Sequence, residues 1–237
     1  MAGHLRILEP GLHTTVQDMG RFGYQEQGVP VAGMLDPVAL ALANALVGNP
    51  PGEAALELYA LGPGLLVEAE SVRIAISGPA RPTLTREGET RSLECGRGHT
   101  LRRGDRLAAG AVSGAAVAVL AVAGGFDLAP VMGSLSTYVR AGIGPLNGRA
   151  LKEGDRLPLR GAGSEGDLAL PHPFEYGSGP LRVMLGPQAE AFSPFIALGM
   201  ALLLSPLLAW LTGGRYYIAR QPEAMGAPGQ MVRCHVC

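Results

Sequence analysis

Between Gly114 and the pair Gly124-Gly125 runs an unbroken apolar stretch, residues 115–123. Its length suits a β-strand covered on both sides, so a fold that accepts this chain has to lay material above and below it. We place it as the central core strand. Val72, Ile74 and Ile76 alternate with Arg73, Ala75 and Ser77 before Gly78-Pro79 ends the run, the pattern of a strand with one buried face. Residues 5–8 and 14–16 read as two short extended pieces around the Pro10-Gly11 turn, a hairpin. Only one helix announces itself. Asp36 is an N-cap, Pro37 the first helical position, good helix formers follow, and Gly48 stops the run. With 35 glycines and 19 prolines in 237 residues, turns are frequent and helices few. The expected fold is mainly β.

Two segments repeat the pattern G-x-x-L-x-x-G-D-R-L, residues 98–107 and 148–157. A Gly-Asp pair suits a turn in which the carboxylate bonds the backbone, so Asp105 and Asp155 are read as turn residues rather than catalysts. Residues 161–179 are rich in Gly, Ser and Pro and lack periodicity, as a connector does. The expected division is one lobe over 1–178 and a second, incomplete one over 179–237. Residues 192–211 are uncharged and long enough to cross a bilayer, yet Pro194, Pro206, Ser193 and Ser205 interrupt them. A buried or misplaced apolar segment is the expected reading, and no membrane partner is expected.

A net charge of −1 and 5% aromatic residues give neither the basic excess nor the stacking surface that nucleic acid needs, so that partner is excluded. Three cysteines, an odd number, and an amino end without a secretory apolar core point to a reducing, cytoplasmic compartment. Cys234-His-Val-Cys237 is read as an incidental end, because a metal site there would need two more ligands nearby. Lys152 is the single lysine, which rules out a P-loop, and neither G-x-S-x-G nor H-E-x-x-H occurs. His4, His13, His99, His172 and His235 are scattered, and no metal is expected.

The densest chemistry lies in residues 11–36, where His13, Thr14, Thr15, Gln17, Asp18, Arg21 and Gln27 are set among five glycines. Asp18 and Arg21 read either as an ion pair holding a loop or as a general base beside an anion-binding cation. Residues 133–149 repeat the order of hydroxyls, arginine and glycines, with Ser134, Ser136, Thr137 and Arg140 as donors to an anion or as parts of an ordinary loop. The expected cleft has His13, Asp18 and Arg21 as its catalytic groups. Thr15, Gln17 and Gln27 line it with Asp36 and Asn44 behind, and Ser134, Ser136, Thr137 and Arg140 form the opposing wall.

The ordered motifs T-T-V-Q-D-x-G-R-x-G at 14–23, G-V-P at 28–30, G-M-x-D at 33–36 and A-N-x-L-V-G-N at 43–49 resemble the biotin-dependent carboxyltransferase family. That family includes the C-type component of 5-oxoprolinase, KipA-like proteins and the second component of allophanate hydrolase. G-G-F at 124–126, G-S-L-S-T at 133–137 and G-R-x-L-x-x-G-D at 148–155 continue the resemblance in order. It implies a mainly β protein with cyclophilin-like β-barrel architecture. It implies a smaller partner subunit, the B-type component of 5-oxoprolinase or a KipI-like protein, and a third 5-oxoprolinase subunit, acting together in the ATP-dependent opening of 5-oxoproline to glutamate. ATP would enter through the complex. Two other roles within the family are a non-catalytic regulator that binds a kinase-inhibitor partner and the carboxyltransferase of a urea carboxylase, where biotin rides on a separate carrier. After residue 188 the chain departs from the family pattern, with Arg220-Gln-Pro-Glu-Ala-Met-Gly226 a faint echo of S-D-R-M-G. A truncated, frame-altered second lobe is the expected explanation.

Overall fold

In the computed structural model, residues 3–161, 168–172, 174, 181–183 and 232–234 are described. The chain forms two compact units, Met1–Phe174 and Glu175–Cys237. The first is mainly β, as the sequence leads one to expect, and is built on two antiparallel sheets.

The five-stranded sheet has the order β2 (His13–Gln17), β3 (Ala55–Tyr59), β10 (Val117–Val122), β5 (Ser71–Ser77), β8 (Gly98–Arg102). The apolar run is its middle strand, β10, buried at every position. Ala118, Leu120 and Val122 face the main core, while Val119, Ala121 and Ala123 belong to a second cluster on the opposite face. Both sides are therefore covered, which is why the strand needs no polar alternation.

The six-stranded sheet has the order β11 (Arg156–Pro158), β1 (His4–Glu9), β4 (Gly64–Val67), β9 (Arg106–Ala108), β6 (Thr83–Arg86), β7 (Glu89–Ser92). Leu5, Ile7, Leu65, Val67, Leu84, Leu107 and Leu157 from this sheet share one buried cluster with Val16, Leu56, Leu58, Ile74, Ile76 and Leu101 from the other. The two sheets thus enclose a common core. On the outer face of the five-stranded sheet lies α1 (Pro37–Leu46), which seats Ala39, Leu40, Ala43 and Leu46 against Ala55, Ala75, Val119 and Ala121. Small residues on the strands let the helix approach closely. The Asp36 carboxylate accepts from the Ala39 N–H at 2.9 Å, and Pro37 starts the first turn, as the sequence indicates.

One expectation is corrected. The pieces flanking Pro10-Gly11 do not form a hairpin: β1 pairs with β4 and β11, whereas β2 pairs with β3. The turn carries the chain from one sheet to the other. Gly11 has φ +73°, and a Cβ there would collide with the Leu61 carbonyl. The sharp corner requires glycine.

The repeated segments share the same turn into a strand, although only the first enters it from a strand. The Asp105 carboxylate accepts from the Arg102 N–H at 2.8 Å and from Arg86 Nε and Nη2 at 2.9 and 2.6 Å. The Asp155 carboxylate accepts from the Lys152 N–H at 2.8 Å and from Arg149 Nη1 and Nη2 at 2.7 and 2.8 Å. Arg86 and Arg149 respectively hold these carboxyls below the ordinary aspartate range. The backbones match as well: Val67 N–H donates to the Asp105 carbonyl, and Ile7 N–H to that of Asp155.

In the second unit β12 (Leu181–Val183) pairs antiparallel with β13 (Val232–Cys234). Residues 192–211, 220–226 and Cys237 lie outside the described residues. No described helix is long and apolar enough to cross a membrane.

Candidate functional site

Two segments far apart in sequence meet beside the end of β2. Thr137 N–H and Oγ1 both donate to the Val16 carbonyl, at 3.0 and 2.9 Å. The Gln17 Nε2 donates to the Thr137 carbonyl at 3.0 Å and to Thr15 Oγ1 at 3.0 Å. Asp18 completes the junction. Its Oδ1 accepts from Ser134 Oγ and Gly20 N–H, both at 2.7 Å, and from Ser136 Oγ, while Oδ2 accepts the Leu135 N–H at 2.6 Å. Burial raises the pKa of this carboxyl, but the bonds from Ser136, Ser134, Gly20 and Leu135 together outweigh it and hold the group below its usual value. A carboxylate with both oxygens facing backbone N–H groups and two hydroxyls is a clamp between segments, ionised and directed inward. Gly20 lets the chain turn there: its φ is +95°, and a Cβ would sit 2.6 Å from the Val31 carbonyl.

Arg21 is 1% exposed, and its Nη2 donates to the Ser136 carbonyl. It does not pair with Asp18. Its Nε and Nη1 have no hydrogen-bond acceptor among the described residues. A buried guanidinium matched only by one carbonyl is costly, and an anionic group would complete it.

A second polar surface lies on the outer face of the five-stranded sheet, beyond the ground covered by α1. Register places His13 opposite Tyr59, Thr15 opposite Glu57 and Gln17 opposite Ala55, so His13, Thr15, Gln17 and Glu57 share that face. Glu57 Oε2 accepts the Leu35 N–H at 2.7 Å. Burial pushes its carboxyl up, opposed by the Leu35 bond and by His13. Glu57 is a residue that sequence reasoning missed. Flanked by Leu56 and Leu58, it reads as one more solvent-facing position of an alternating strand, and only its register opposite Thr15 distinguishes it.

The remaining candidates are placed as follows. His13 is exposed at the start of β2. Thr15 is 2% exposed beneath Gln17, and Thr14 faces the core side with its Oγ1 unmatched among the described residues. Asn44, fully buried, donates to the Glu53 carbonyl at 2.7 Å and accepts from Asn49 Nδ2 at 2.9 Å. Asn49 in turn accepts the Gly124 N–H at 2.8 Å. The A-N-x-L-V-G-N motif therefore braces the end of α1 against the loop after β10. Gln27 and Arg140 are exposed on the single-turn 3-10 segments Gln25–Gln27 and Val139–Ala141. Ser134, Ser136 and Thr137 direct their hydroxyls to protein acceptors. Among the described residues no group of three or more His, Cys, Asp or Glu is placed to hold a metal ion.

The family described as the carboxyltransferase domain, subdomains A and B, matches residues 27–197. The chain is 42% identical over 156 residues to the C-type component of the 5-oxoprolinase of Escherichia coli, a match covering 65% of this chain and 49% of that protein. It is 40% identical over 154 residues to a urea amidolyase of Lachancea kluyveri, covering 65% of this chain and 8% of the relative. The crystal structure of the Kluyveromyces lactis urea carboxylase superposes with a TM-score of 0.62 at 38% identity, over 67% of this chain and 14% of that one. The match spans about half the length of the 5-oxoprolinase relatives and a small part of the urea enzymes.

Proposed function

The chain belongs to the carboxyltransferase domain family, subdomains A and B, and on that premise we propose that it serves as one subunit of an ATP-dependent 5-oxoprolinase. With a smaller subunit and a third one it opens the lactam of 5-oxoproline to glutamate, in the cytoplasm. The relative at 42% identity supports the choice of substrate. The observation that carries it is Arg21, a buried cation with two unmatched donors among the described residues, where the carboxylate of 5-oxoproline finds a charge-assisted partner.

In this reading Arg21 binds the substrate carboxylate. Asp18, Ser134 and Ser136 act as positioning residues, because they hold the 134–137 segment that Arg21 and Gln17 grip. Thr15, Gln17 and Thr137 line the amide side. Gln27, Arg140 and His13 form an exposed rim, and Asp36 and Asn44 fix the helix behind them. ATP does not fit the one long described helix, since its first turn is occupied by the Asp36 carboxylate where a phosphate would sit. We assign ATP to the partner subunits. A biotinylated carrier belongs only to the urea carboxylase reading, which the urea amidolyase relatives support.

The test assembles the chain with its partner subunits and measures 5-oxoproline-dependent ATP hydrolysis. Arg21→Gln should raise KM about 30-fold, the loss of a charge-assisted hydrogen bond, with Arg21→Lys intermediate and the circular dichroism unchanged. Urea-dependent turnover that needs a biotinylated carrier and is stopped by avidin would replace this reading with the carboxylase one. Association without turnover would leave a regulator.

A further inference from the structure

The bonds made by Gln17 fix the orientation of its amide. The Thr137 carbonyl can only accept, so the nitrogen must face it, and the oxygen is turned away. That oxygen is buried on a side chain 6% exposed and has no donor among the described residues. Two places along the same face stands Glu57, with Oε2 held by the Leu35 N–H. In antiparallel pairing the backbones of diagonal neighbours stand about 7–8 Å apart on one face, within reach of side chains that share one small ligand. His13 stands at the exposed end of this row, beside Tyr59, which is 49% exposed. The row therefore offers acceptors from two strands, Gln17 Oε1 and the Glu57 carboxylate.

We propose that Gln17 Oε1 and the Glu57 carboxylate form a subsite for the N–H edge of a neutral amide or ureido group, with His13 at its mouth. The inference rests on the preceding reading only for which amide arrives, since a lactam N–H and a ureido N–H present the same donor. Arg21 serves the acid end of a substrate, and this row serves the amide end. The raised carboxyl of Glu57 agrees with a group waiting for a donor inside the fold.

Neutral probes separate this inference from the 5-oxoprolinase reading, because they lack the carboxylate that Arg21 would bind. The isotope-labelled full chain is titrated with 2-pyrrolidinone, N-methyl-2-pyrrolidinone and urea while amide and side-chain resonances are followed. We expect 2-pyrrolidinone to shift the Gln17 side-chain amide and the backbone of residues 13–17 and 55–59. The N-methyl compound should bind about tenfold more weakly, the loss of one hydrogen bond to a charged acceptor. Response to urea as well as the lactam identifies the shared N–H as the recognised feature, and response to one alone selects that source. Glu57→Gln and Gln17→Met should each erase the preference. Equal affinity for the two lactams, shifts that map elsewhere, no response to either lactam or urea, or a preference that survives both variants would overturn the subsite, whatever the outcome of the ATP hydrolysis assay.

Discussion

Asp18 shows how a residue type underdetermines its role. An aspartate three residues before an arginine reads equally well as an ion pair or as a base, and the structure makes it neither partner of Arg21 nor an exposed group. Both oxygens receive a backbone N–H, one from Gly20 and one from Leu135. An asparagine can offer only one oxygen, so its amide nitrogen must confront the other N–H. Asp18→Asn should therefore cost about 2 kcal/mol of stability even though size and shape are kept. The urea midpoint measures it, and a midpoint equal to that of the unsubstituted protein would show that the clamp does not stabilise the fold. The roles of Asp18 and Glu57 were not legible in the sequence for one reason. Both depend on what a distant segment places opposite them, residues 134–136 in one case and β2 in the other.

At the scale of elements, legibility follows locality. The helix α1 is specified by Asp36, Pro37 and Gly48 within a single stretch, and β10 by its own apolar run, so both were readable. The corner at Pro10-Gly11 carries the local signals of a hairpin, and only pairing with β3, β4 and β11 reveals a crossing between sheets. The two G-x-x-L-x-x-G-D-R-L segments lie between, since the turn role of the aspartates was plain and their arginine partners were not. Both repeats tie an arginine to a turn, but Asp105 is 3% exposed and Asp155 14%. Asp105→Asn should cost about 1 kcal/mol and Asp155→Asn less, because the drier pair is screened less. Having no shared partner, the two losses should add in the double variant. Urea midpoints of the three variants check the order, and a larger loss at Asp155 would contradict it.

For the whole molecule, these carboxylates set how the fold responds to acid. Asp18, Asp105 and Asp155 all have folded pKa values below the reference of 3.8, so each contributes stability that is present above that value and lost as pH falls through the folded pKa. Glu57 acts in the opposite sense. Its folded pKa lies above 4.5, so its contribution is present below that value and lost as pH rises through the folded pKa. Starting from neutral pH, acidification first protonates Glu57 and favours the fold, then protonates the three clamps and releases the contacts they hold. The contribution of these four groups to Tm should pass through a maximum on the acid side of neutrality and fall steeply below about pH 4. A Tm series against pH at constant ionic strength reads this directly. Glu57→Gln should flatten the upper limb alone, and Asp18→Asn should soften the lower limb alone. If Glu57→Gln altered the lower limb instead, the two classes of carboxyl would not titrate in the order that their surroundings impose.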